Sequence, residues 1–416
     1  MLKVIIGLLV ISVVFTGWRV FSEAGPVEFE SRIPIYDQDG SVVKAEQDRK
    51  DDDREEDPDK EGDLKEDESE VGDQTGQPED HSVVHLDTPR PLRSLYMTSW
   101  IAGTLDMRQN ILDLVDRSEI NSLVIDIKDD TGRISFPVND PELQEIGSVE
   151  RRIRDLPELI ADLNDKGVYV IGRISVFQDP YLTTKRPDLA VRRASDGEVW
   201  QDRKGLTWLD PGSQEVWDYT LGIMRESYAQ GFDEINLDYI RFPSDGDMSD
   251  IDYPISDLGN STRSEILTEF FQYLDQELSD SDMIVSADLF GLVTSNPDDL
   301  KIGQILEDAL PYFDYIAPMV YPSHYPPGFK NIPDPNQAPY DVVYLSLKDA
   351  LERVKEAGYP SRIIRPWLQD FNYPVPYTEE MVRAQIQATY DAGVDSWMMW
   401  DPRNRYSPGA WSGLEE

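Results

Sequence analysis

The chain has 416 residues, of which 39% are hydrophobic, and this is enough for one large folded domain with appendages. It contains no cysteine, which excludes disulfides, thiol nucleophiles and cysteine metal sites. The formal net charge of −42 argues against nucleic acid and anionic membrane surfaces as partners.

Residues 1–21 have the pattern of a signal peptide or a membrane anchor. Lys3 gives a positive start, and residues 4–15 form a mostly apolar run. Such a run is short for a membrane-spanning helix, which needs about 20 residues, and suits the core of an export signal. Residues 22–24 resemble a cleavage site, whereas Trp18 fits the membrane interface of an uncleaved anchor. Both alternatives predict an extracytoplasmic protein, secreted or anchored to the cell membrane by its N-terminal segment.

Residues 22–91 are predicted to form a disordered acidic linker. The stretch 48–80 alone holds 17 Asp and Glu against 5 Lys and Arg, with few apolar residues. Such a segment cannot bury enough apolar surface to offset the entropy lost on ordering. The predicted folded domain spans residues 92–405, and residues 406–416 form a C-terminal tail.

From about residue 92 the sequence alternates between apolar runs of strand length and amphipathic runs of helix length. Eight strands are predicted, at residues 95–100, 122–128, 168–177, 232–241, 283–290, 313–321, 362–371 and 394–401. Seven helices are predicted between them, at residues 106–118, 151–166, 213–230, 264–278, 298–310, 343–357 and 378–392. Several of these helices are followed by a glycine, which commonly ends a helix, just before the next strand.

This order of elements predicts a parallel (β/α)8 TIM barrel. An open doubly wound sheet is the alternative, but it usually has a glycine-rich turn after the first strand, and residues 100–104 match that poorly. Little chain follows the eighth strand, so the last helix is predicted to be short or missing. The long connections 178–210 and 322–339 are predicted to be functional loops, because compact domains rarely keep such loops otherwise.

The stretch 231–243 is the most informative part of the chain. In strand alternation, Glu234, Asn236 and Asp238 share one face, while apolar residues share the other. The proline at its end stops the strand, since proline cannot donate to the ladder. Asp238 and Arg241 are therefore predicted at the C-terminal end of the strand, where parallel barrels carry their chemistry. The alternative interpretation is a structural Asp–Arg pair that pins a loop.

Polar and aromatic side chains recur at the predicted ends of successive strands. A mouth lined with carboxylates, arginines and aromatic rings suits a polysaccharide or oligosaccharide, because such groups bind hydroxyls and the faces of sugar rings. The residues predicted to bind this substrate are Asp126, Lys128, Asp129, Arg173, Asn236, Arg241, Tyr321, Trp367, Gln369, Asp370, Trp400 and Asp401.

Other reaction chemistries are disfavoured by the motifs that the sequence lacks. His324 is the single histidine of the predicted domain, which disfavours a histidine metal site or a catalytic triad. The chain has neither a G-x-S-x-G elbow nor a phosphate-binding loop. The acidic loop 245–252 lacks the glycine and glutamate positions of a calcium loop. We predict no metal and no cofactor, which leaves carboxylate chemistry, the usual means of cleaving glycosidic bonds.

Three stretches of the chain resemble a known family. They are G-F-D-E-I-N-L-D-Y-I-R-F-P-S-D-G from residue 231, G-T-L-D from residue 103 and N-S-L-V-I-D-I-K-D-D from residue 121. Together they resemble exported bacterial glycoside hydrolase domains that are distant relatives of the α-amylase-like TIM barrels. The resemblance covers about residues 95–405, and its most specific element is the D-Y-I-R-F-P sequence that follows G-F-D.

The resemblance implies a division of roles between two carboxylates. In the α-amylase-like group the nucleophile is an aspartate at the end of strand four, which corresponds to Asp238. The acid/base there is usually a glutamate at the end of strand five, where this chain has Asp288. We predict Asp288 as the acid/base, with Asp370 or Asp401 as alternatives. The usual His-Asp pair of strand seven is absent, and Gln369-Asp370 occupies that region.

The predicted function is hydrolysis of O-glycosidic bonds in a polysaccharide, for example one of the cell envelope. The competing prediction is a non-catalytic carbohydrate-binding or cell-wall-associated barrel that has lost turnover. The missing glutamate and the short last helix favour this competitor.

Overall fold

The computed structural model describes residues 83–411. The predicted signal or anchor segment, the linker up to residue 82 and the last five residues of the predicted tail lie outside the described residues. In the described part of the chain, no helix combines the length and the apolar composition needed to cross a membrane.

Residues 83–411 contain ten β-strands, and eight of them close into a parallel barrel. They are β1 (Arg93–Met97), β2 (Ser122–Lys128), β3 (Tyr169–Ser175), β4 (Arg192–Arg193), β5 (Glu234–Asp238), β6 (Ile251–Asp252), β7 (Ile284–Phe290), β8 (Tyr315–Met319), β9 (Trp367–Gln369) and β10 (Trp397–Trp400). The short strands β4 and β6 pair with each other outside the barrel. Because β1 pairs with both β2 and β10, the sheet is closed. The predicted (β/α)8 barrel and its eight strands are confirmed, and the open doubly wound sheet is excluded.

In the same part of the chain, ten α-helices accompany the strands. They are α1 (Ser99–Ala102), α2 (Leu105–Val115), α3 (Pro141–Ile146), α4 (Leu156–Asp165), α5 (Pro180–Lys185), α6 (Gln214–Ala229), α7 (Arg263–Glu277), α8 (Leu306–Ala309), α9 (Pro339–Glu356) and α10 (Glu379–Ala392). The predicted helix 298–310 is wrong, since only four residues of it are helical. Leu300, Lys301 and Gly303 have positive φ angles, which a right-handed helix cannot include. Up to residue 411, β10 is followed only by the 3-10 turn Pro408–Ala410, as the short-helix prediction expected.

Alternation along the strands separates two buried regions. Outward residues such as Ile235 and Leu237 join the large apolar cluster between barrel and helices. Inward residues such as Tyr96, Tyr169 and Trp367 form a second cluster inside the barrel. On β5 the predicted polar face, from Glu234 to Asp238, points inward and is buried. The barrel interior is therefore polar at two levels, one at each end of this strand.

Residues 83–91, which the sequence assigns to the linker, pack against the amino end of the barrel. The amide of Leu86 donates to Asp233 Oδ1 over 2.6 Å, and the ring of His85 stacks on Tyr228 with centroids 3.9 Å apart. The linker prediction is therefore corrected for this stretch, because these contacts order it. A cleft of about 1070 Å³ opens beside the segment, on the side away from the strand ends that carry the predicted site.

Candidate active site

One arginine joins two carboxylates at the carboxyl end of the barrel. Arg173, on β3, donates from Nη1 to Asp126 Oδ1 over 2.8 Å. Its Nη2 and Nε donate to Asp238 Oδ2 over 2.5 and 3.2 Å. All three side chains are buried. Because buried carboxylates need a compensating charge, Arg173 is the group that balances Asp238.

The backbone also holds Asp238 in place. The amide of Tyr239 donates to Asp238 Oδ1 over 2.6 Å. Tyr239 has a φ of 54°, a left-handed conformation that is uncommon for a non-glycine residue and clusters at functional sites. The chain thus turns sharply directly after Asp238 and fixes both of its oxygens.

Asp288 lies on the neighbouring strand β7 and has no cation of its own. Its Oδ1 accepts hydrogen bonds from Asn236 Nδ2 over 2.9 Å and from Trp367 Nε1 over 2.8 Å. Its Oδ2 has no donor among residues 83–411. Burial, and then the charge of Asp238, raise the pKa of Asp288 well above its ordinary value. This carboxyl group is therefore suited to hold a proton at neutral pH and to donate it.

The β5–β7 register brings Asp238 and Asp288 to the same level. Leu237 pairs with Ala287, so the residues that follow them, Asp238 and Asp288, lie side by side on adjacent strands. Both side chains point into the barrel. The two predicted catalytic carboxylates are thus brought together at one end of adjacent strands.

Tyr96 and Asp126 support the arginine from the other side. Tyr96 Oη donates to Asp126 Oδ2 over 2.5 Å. Burial raises the pKa of Asp126 to about 6, although Arg173 opposes the shift. Asp126 therefore holds Arg173 in position.

Aromatic side chains form one wall of the mouth. Trp400 stacks on Tyr96 with ring centroids 3.8 Å apart and meets Trp367 edge-on at 5.5 Å. Trp400 is half-buried, so part of its ring remains open to a ligand. Tyr321 is buried beside the two carboxylates, and burial followed by the charges of Asp288 and Asp238 raises the pKa of its hydroxyl. The wall offers an apolar ring face together with a neutral hydroxyl.

Arg241 contributes to the loops above the mouth and does not pair with Asp238. Its guanidinium lies 4.8 Å from the ring of Trp208 and 4.7 Å from that of Phe290. Its Nη1 donates to Phe242 O and Ser244 Oγ, each over 3.1 Å. Trp208 comes from the long loop after β3, so that loop covers part of the mouth.

Lys128 was predicted to bind substrate, and the structure corrects this. A bulge after Asp126 shifts the register so that Lys128 pairs with Ile174, which lies on the outer face of the barrel wall. Its ammonium is buried there and pairs with Asp179 at 2.6 Å. Lys128 therefore anchors the wall to the loop after β3.

Asp370 and Asp401 were predicted as binding residues and as alternative acids, and they also point outward. Each follows an inward residue, so alternation turns it away from the mouth. Asp370 accepts from the amide and the hydroxyl of Ser407 over 2.7 and 2.8 Å. Asp401 accepts from the amide of Arg403 over 2.6 Å. Burial raises their pKa values to about 7 and about 6, but both side chains serve to hold the loop after β10.

Gln369 and Asp129 lie at the mouth but are occupied by protein contacts. Gln369 accepts from the hydroxyl of Ser323 over 2.8 Å and donates to Phe371 O over 3.0 Å. Asp129 pairs with Arg152 and accepts from Thr131 Oγ1 over 2.5 Å. Both side chains join neighbouring loops at the mouth, and their role as substrate ligands stays a prediction.

Sequence reasoning missed Tyr96, Trp208 and Lys204. Tyr96 is the last residue but one of β1, and the alternation of side chains along that strand could have predicted that it points into the barrel. Trp208 and Lys204 belong to the loop after β3, whose course no local pattern predicts. The half-buried Lys204 has its pKa lowered by burial and lies within electrostatic range of Asp130 and Arg241. Across residues 83–411, no group of three or more histidine or acidic side chains is arranged to hold a metal ion.

A closed (β/α)8 barrel with two adjacent carboxyl groups at its carboxyl end is an arrangement that barrel glycosidases use. Residues 94–406 match the model of a family described as "Putative glycosyl hydrolase domain". Since the match covers most of the chain, the protein belongs to this family.

The chain is similar to several solved structures, and the first of the three named here agrees with the fold. The glycoside hydrolase domain of PgaB (BpsB) from Bordetella bronchiseptica is 14% identical, with a TM-score of 0.52 over 76% of this chain and 95% of that one. A hypothetical protein from Ruminiclostridium thermocellum is 37% identical over 47% of this chain and 96% of its own, with a TM-score of 0.42. The glycoside hydrolase domain of PelA from Pseudomonas aeruginosa is 12% identical over 77% and 97%, with a TM-score of 0.43. A search of the curated proteins found no match.

Proposed function

We propose that the protein hydrolyses O-glycosidic bonds of a polysaccharide, with Asp238 as nucleophile and Asp288 as acid/base. The observation that carries the proposal is the unequal environment of the two carboxyl groups. Asp238 is paired with Arg173, whereas Asp288 is buried without a cation and has a raised pKa. Two titratable groups with opposed environments are the usual mark of a nucleophile and an acid.

The reaction follows from this division. Asp288 gives its proton to the glycosidic oxygen as the carboxylate of Asp238 attacks the anomeric carbon and the C–O bond to the leaving sugar breaks. The resulting glycosyl ester is then attacked by water. Asp288, now ionised, takes the proton of that water, and Asp238 is released as a carboxylate. Asn236 and Trp367 hold Asp288 through Oδ1, which leaves Oδ2 for both proton transfers.

The level placement of the two residues favours retention of anomeric configuration. The backbones of neighbouring strands lie about 4.8 Å apart, so two aspartates at one level can bring their carboxyl groups to the roughly 5–5.5 Å of retaining enzymes. Inverting enzymes need about 6.5–9.5 Å to admit a water molecule. The first product seen by proton NMR should therefore have the same anomeric configuration as the substrate.

We also propose that the substrate lies outside the cytoplasm. The support for this is the export-signal pattern of residues 1–21. Fractionation of cells that express the full chain, with detection of the protein in each fraction, tests the location independently of activity.

The experiment that tests the function is a screen of the purified full chain on aryl glycosides and cell-wall glycans. We expect released reducing ends from at least one glycan. The Asp238→Asn variant should lose turnover by about 10⁴-fold or more, as expected for a lost nucleophile, while its circular dichroism and glycan binding stay unchanged. Asp370→Asn is the matched control, because Asp370 is a buried strand-end aspartate outside the site, and it should stay active.

Two outcomes would contradict the proposal. If the parent protein binds glycans but releases no reducing ends, the barrel is a non-catalytic carbohydrate-binding module. If Asp238→Asn unfolds and no parent activity is ever found, Asp238 is only a structural partner of Arg173.

A further inference from the structure

An exposed tryptophan lies at the rim of the mouth. Trp100 belongs to α1, which begins two residues after the end of β1, and 56% of it is exposed. Large aromatic side chains bury most of their surface in folded proteins, so an indole exposed at the carboxyl end of the barrel suggests a ligand.

The indole is held in a fixed plane by a buried guanidinium. The guanidinium of Arg152 lies 4.4 Å from the ring centre of Trp100, and only 2% of the Arg152 side chain is exposed. Arg152 donates to Ser99 Oγ over 3.1 Å, to Thr131 Oγ1 over 2.9 Å and to Glu150 Oε2 over 2.8 Å, and it pairs with Asp129. Because the guanidinium of Arg152 covers one face of the indole, the exposed surface of Trp100 belongs to the rest of the ring.

This arrangement continues the aromatic wall of the mouth outward. Tyr96, on the same strand that leads into α1, stacks on Trp400 next to Arg173. Trp100 follows four residues later, beyond the strand end. Aromatic faces therefore occur both beside the carboxylates and at the rim above β1.

We propose that Trp100 is a stacking platform for a pyranose ring of the substrate polysaccharide, away from the bond that is cleaved. The inference rests on the proposed function and specifies its substrate as a chain long enough to reach the rim. The C–H face of a sugar ring is apolar and packs on an aromatic face, while its hydroxyls stay in water. Because Arg152 already fixes the ring, little side-chain entropy is lost on binding.

The test compares binding of short and long glycans to the full chain. Calorimetry with cello-, chito- and malto-oligosaccharides of increasing length, and gel retardation by the corresponding soluble polymers, measure affinity. Trp100→Ala should weaken binding of the longest bound oligomers about tenfold, the equivalent of about 1.4 kcal/mol, and leave disaccharide binding unchanged. Met107→Ala is the matched control, since Met107 is 52% exposed on the adjacent helix, and it should bind as the parent does. Trp100→Tyr should recover part of the loss.

Several outcomes would overturn the inference. Equal affinity of Trp100→Ala and the parent for all lengths would show that the ring contacts no sugar. An equal loss for disaccharides and long oligomers would show that Trp100 shapes the mouth instead of forming a separate subsite. A parent that binds none of these glycans also refutes it. Binding that depends on Trp100 without any cleavage would leave the platform standing and refute only the hydrolase proposal.

Discussion

The two ends of β5 carry the same kind of ion pair with different surroundings. At the amino end, Glu234 pairs with Arg365 and also accepts from Ser286 Oγ over 2.6 Å and Tyr169 Oη over 3.2 Å. Every oxygen of that carboxylate is occupied, and both charged side chains are sealed from solvent. At the carboxyl end, the pair of Asp238 and Arg173 stands beside Asp288, a further carboxyl group without a cation.

A buried carboxylate–arginine pair is therefore not by itself a sign of a catalytic site. The amino-end pair is balanced and closed, so it has no group left to react. The carboxyl end sets three carboxyl groups, those of Asp126, Asp238 and Asp288, against the single cation of Arg173. Burial and then the charge of Asp238 raise the pKa of Asp288. Reactivity is expected where the charge balance is incomplete.

The sharpest test of the carboxyl end is Asp288→Asn with leaving groups of different acidity. A general acid contributes about 10²–10⁴-fold, so kcat on a natural glycan should fall by up to about 10⁴-fold. Aryl glycosides with an acidic phenol need little protonation, and their glycosylation step should be nearly unaffected. Rates are compared by reducing-end release and by phenol absorbance. Equal losses on both substrates would remove Asp288 from the acid role.

The amino-end pair should instead respond in stability. Glu234→Gln leaves the buried Arg365 without its counter-charge, which should lower the free energy of unfolding by about 3–5 kcal/mol. Urea unfolding measures this loss. The turnover of the folded fraction should stay near that of the parent, because the pair lies at the closed end. A turnover loss comparable to that of Asp288→Asn, with unchanged stability, would contradict the comparison.

A smaller effect is expected on the pH profile. Trp367 donates to Asp288 Oδ1 and so stabilises its ionised form. Trp367→Phe removes this donor, which should raise the pKa of Asp288 further and keep the acid protonated to higher pH. The alkaline limb of kcat/KM should therefore move to higher pH, while the acid limb stays. A shift to lower pH, in a variant with native circular dichroism, would contradict this assignment.

The smallest effect concerns the outward aspartates. Burial raises the pKa of Asp370 from 3.8 to about 7 in the folded state. The protonated carboxyl group of Asp370 therefore stabilises the folded state fully at a pH below its pKa in the unfolded chain. This stabilisation is lost as the pH rises through about 7, its pKa in the folded state. The stability of the parent relative to Asp370→Asn should fall by on the order of 1 kcal/mol between about pH 5 and pH 8. Urea titrations at several pH values measure this, and a relative stability that rises with pH would contradict it.

Much of the site follows from strand alternation in the sequence. The inward face of β5 predicted Asp238 and Asn236, and the next strand gave Asp288. The structure brings them together with Arg173, Trp367 and Trp400. The same rule, had it been applied past the strand ends, would have turned Asp370 and Asp401 outward.

The remaining errors have causes that a sequence pattern does not contain. Lys128 faces outward because of a bulge, and a bulge depends on the pairing of two strands. The helix expected at residues 298–310 fails at backbone positions with positive φ, two of which, Leu300 and Lys301, are not glycine and give no signal in the sequence. Residues 83–91 are ordered by contacts with distant parts of the chain, such as Asp233, and not by their own composition.

The docking of residues 83–91 also sets an orientation. The chain reaches β1 across the amino end of the barrel, so residue 83 lies on the side opposite the carboxylates. A support joined directly at residue 83, whether a resin, a particle or a lipid layer, would face the amino end of the barrel. The opening would then point away from that support, and a long polymer could lie across it without meeting the attachment.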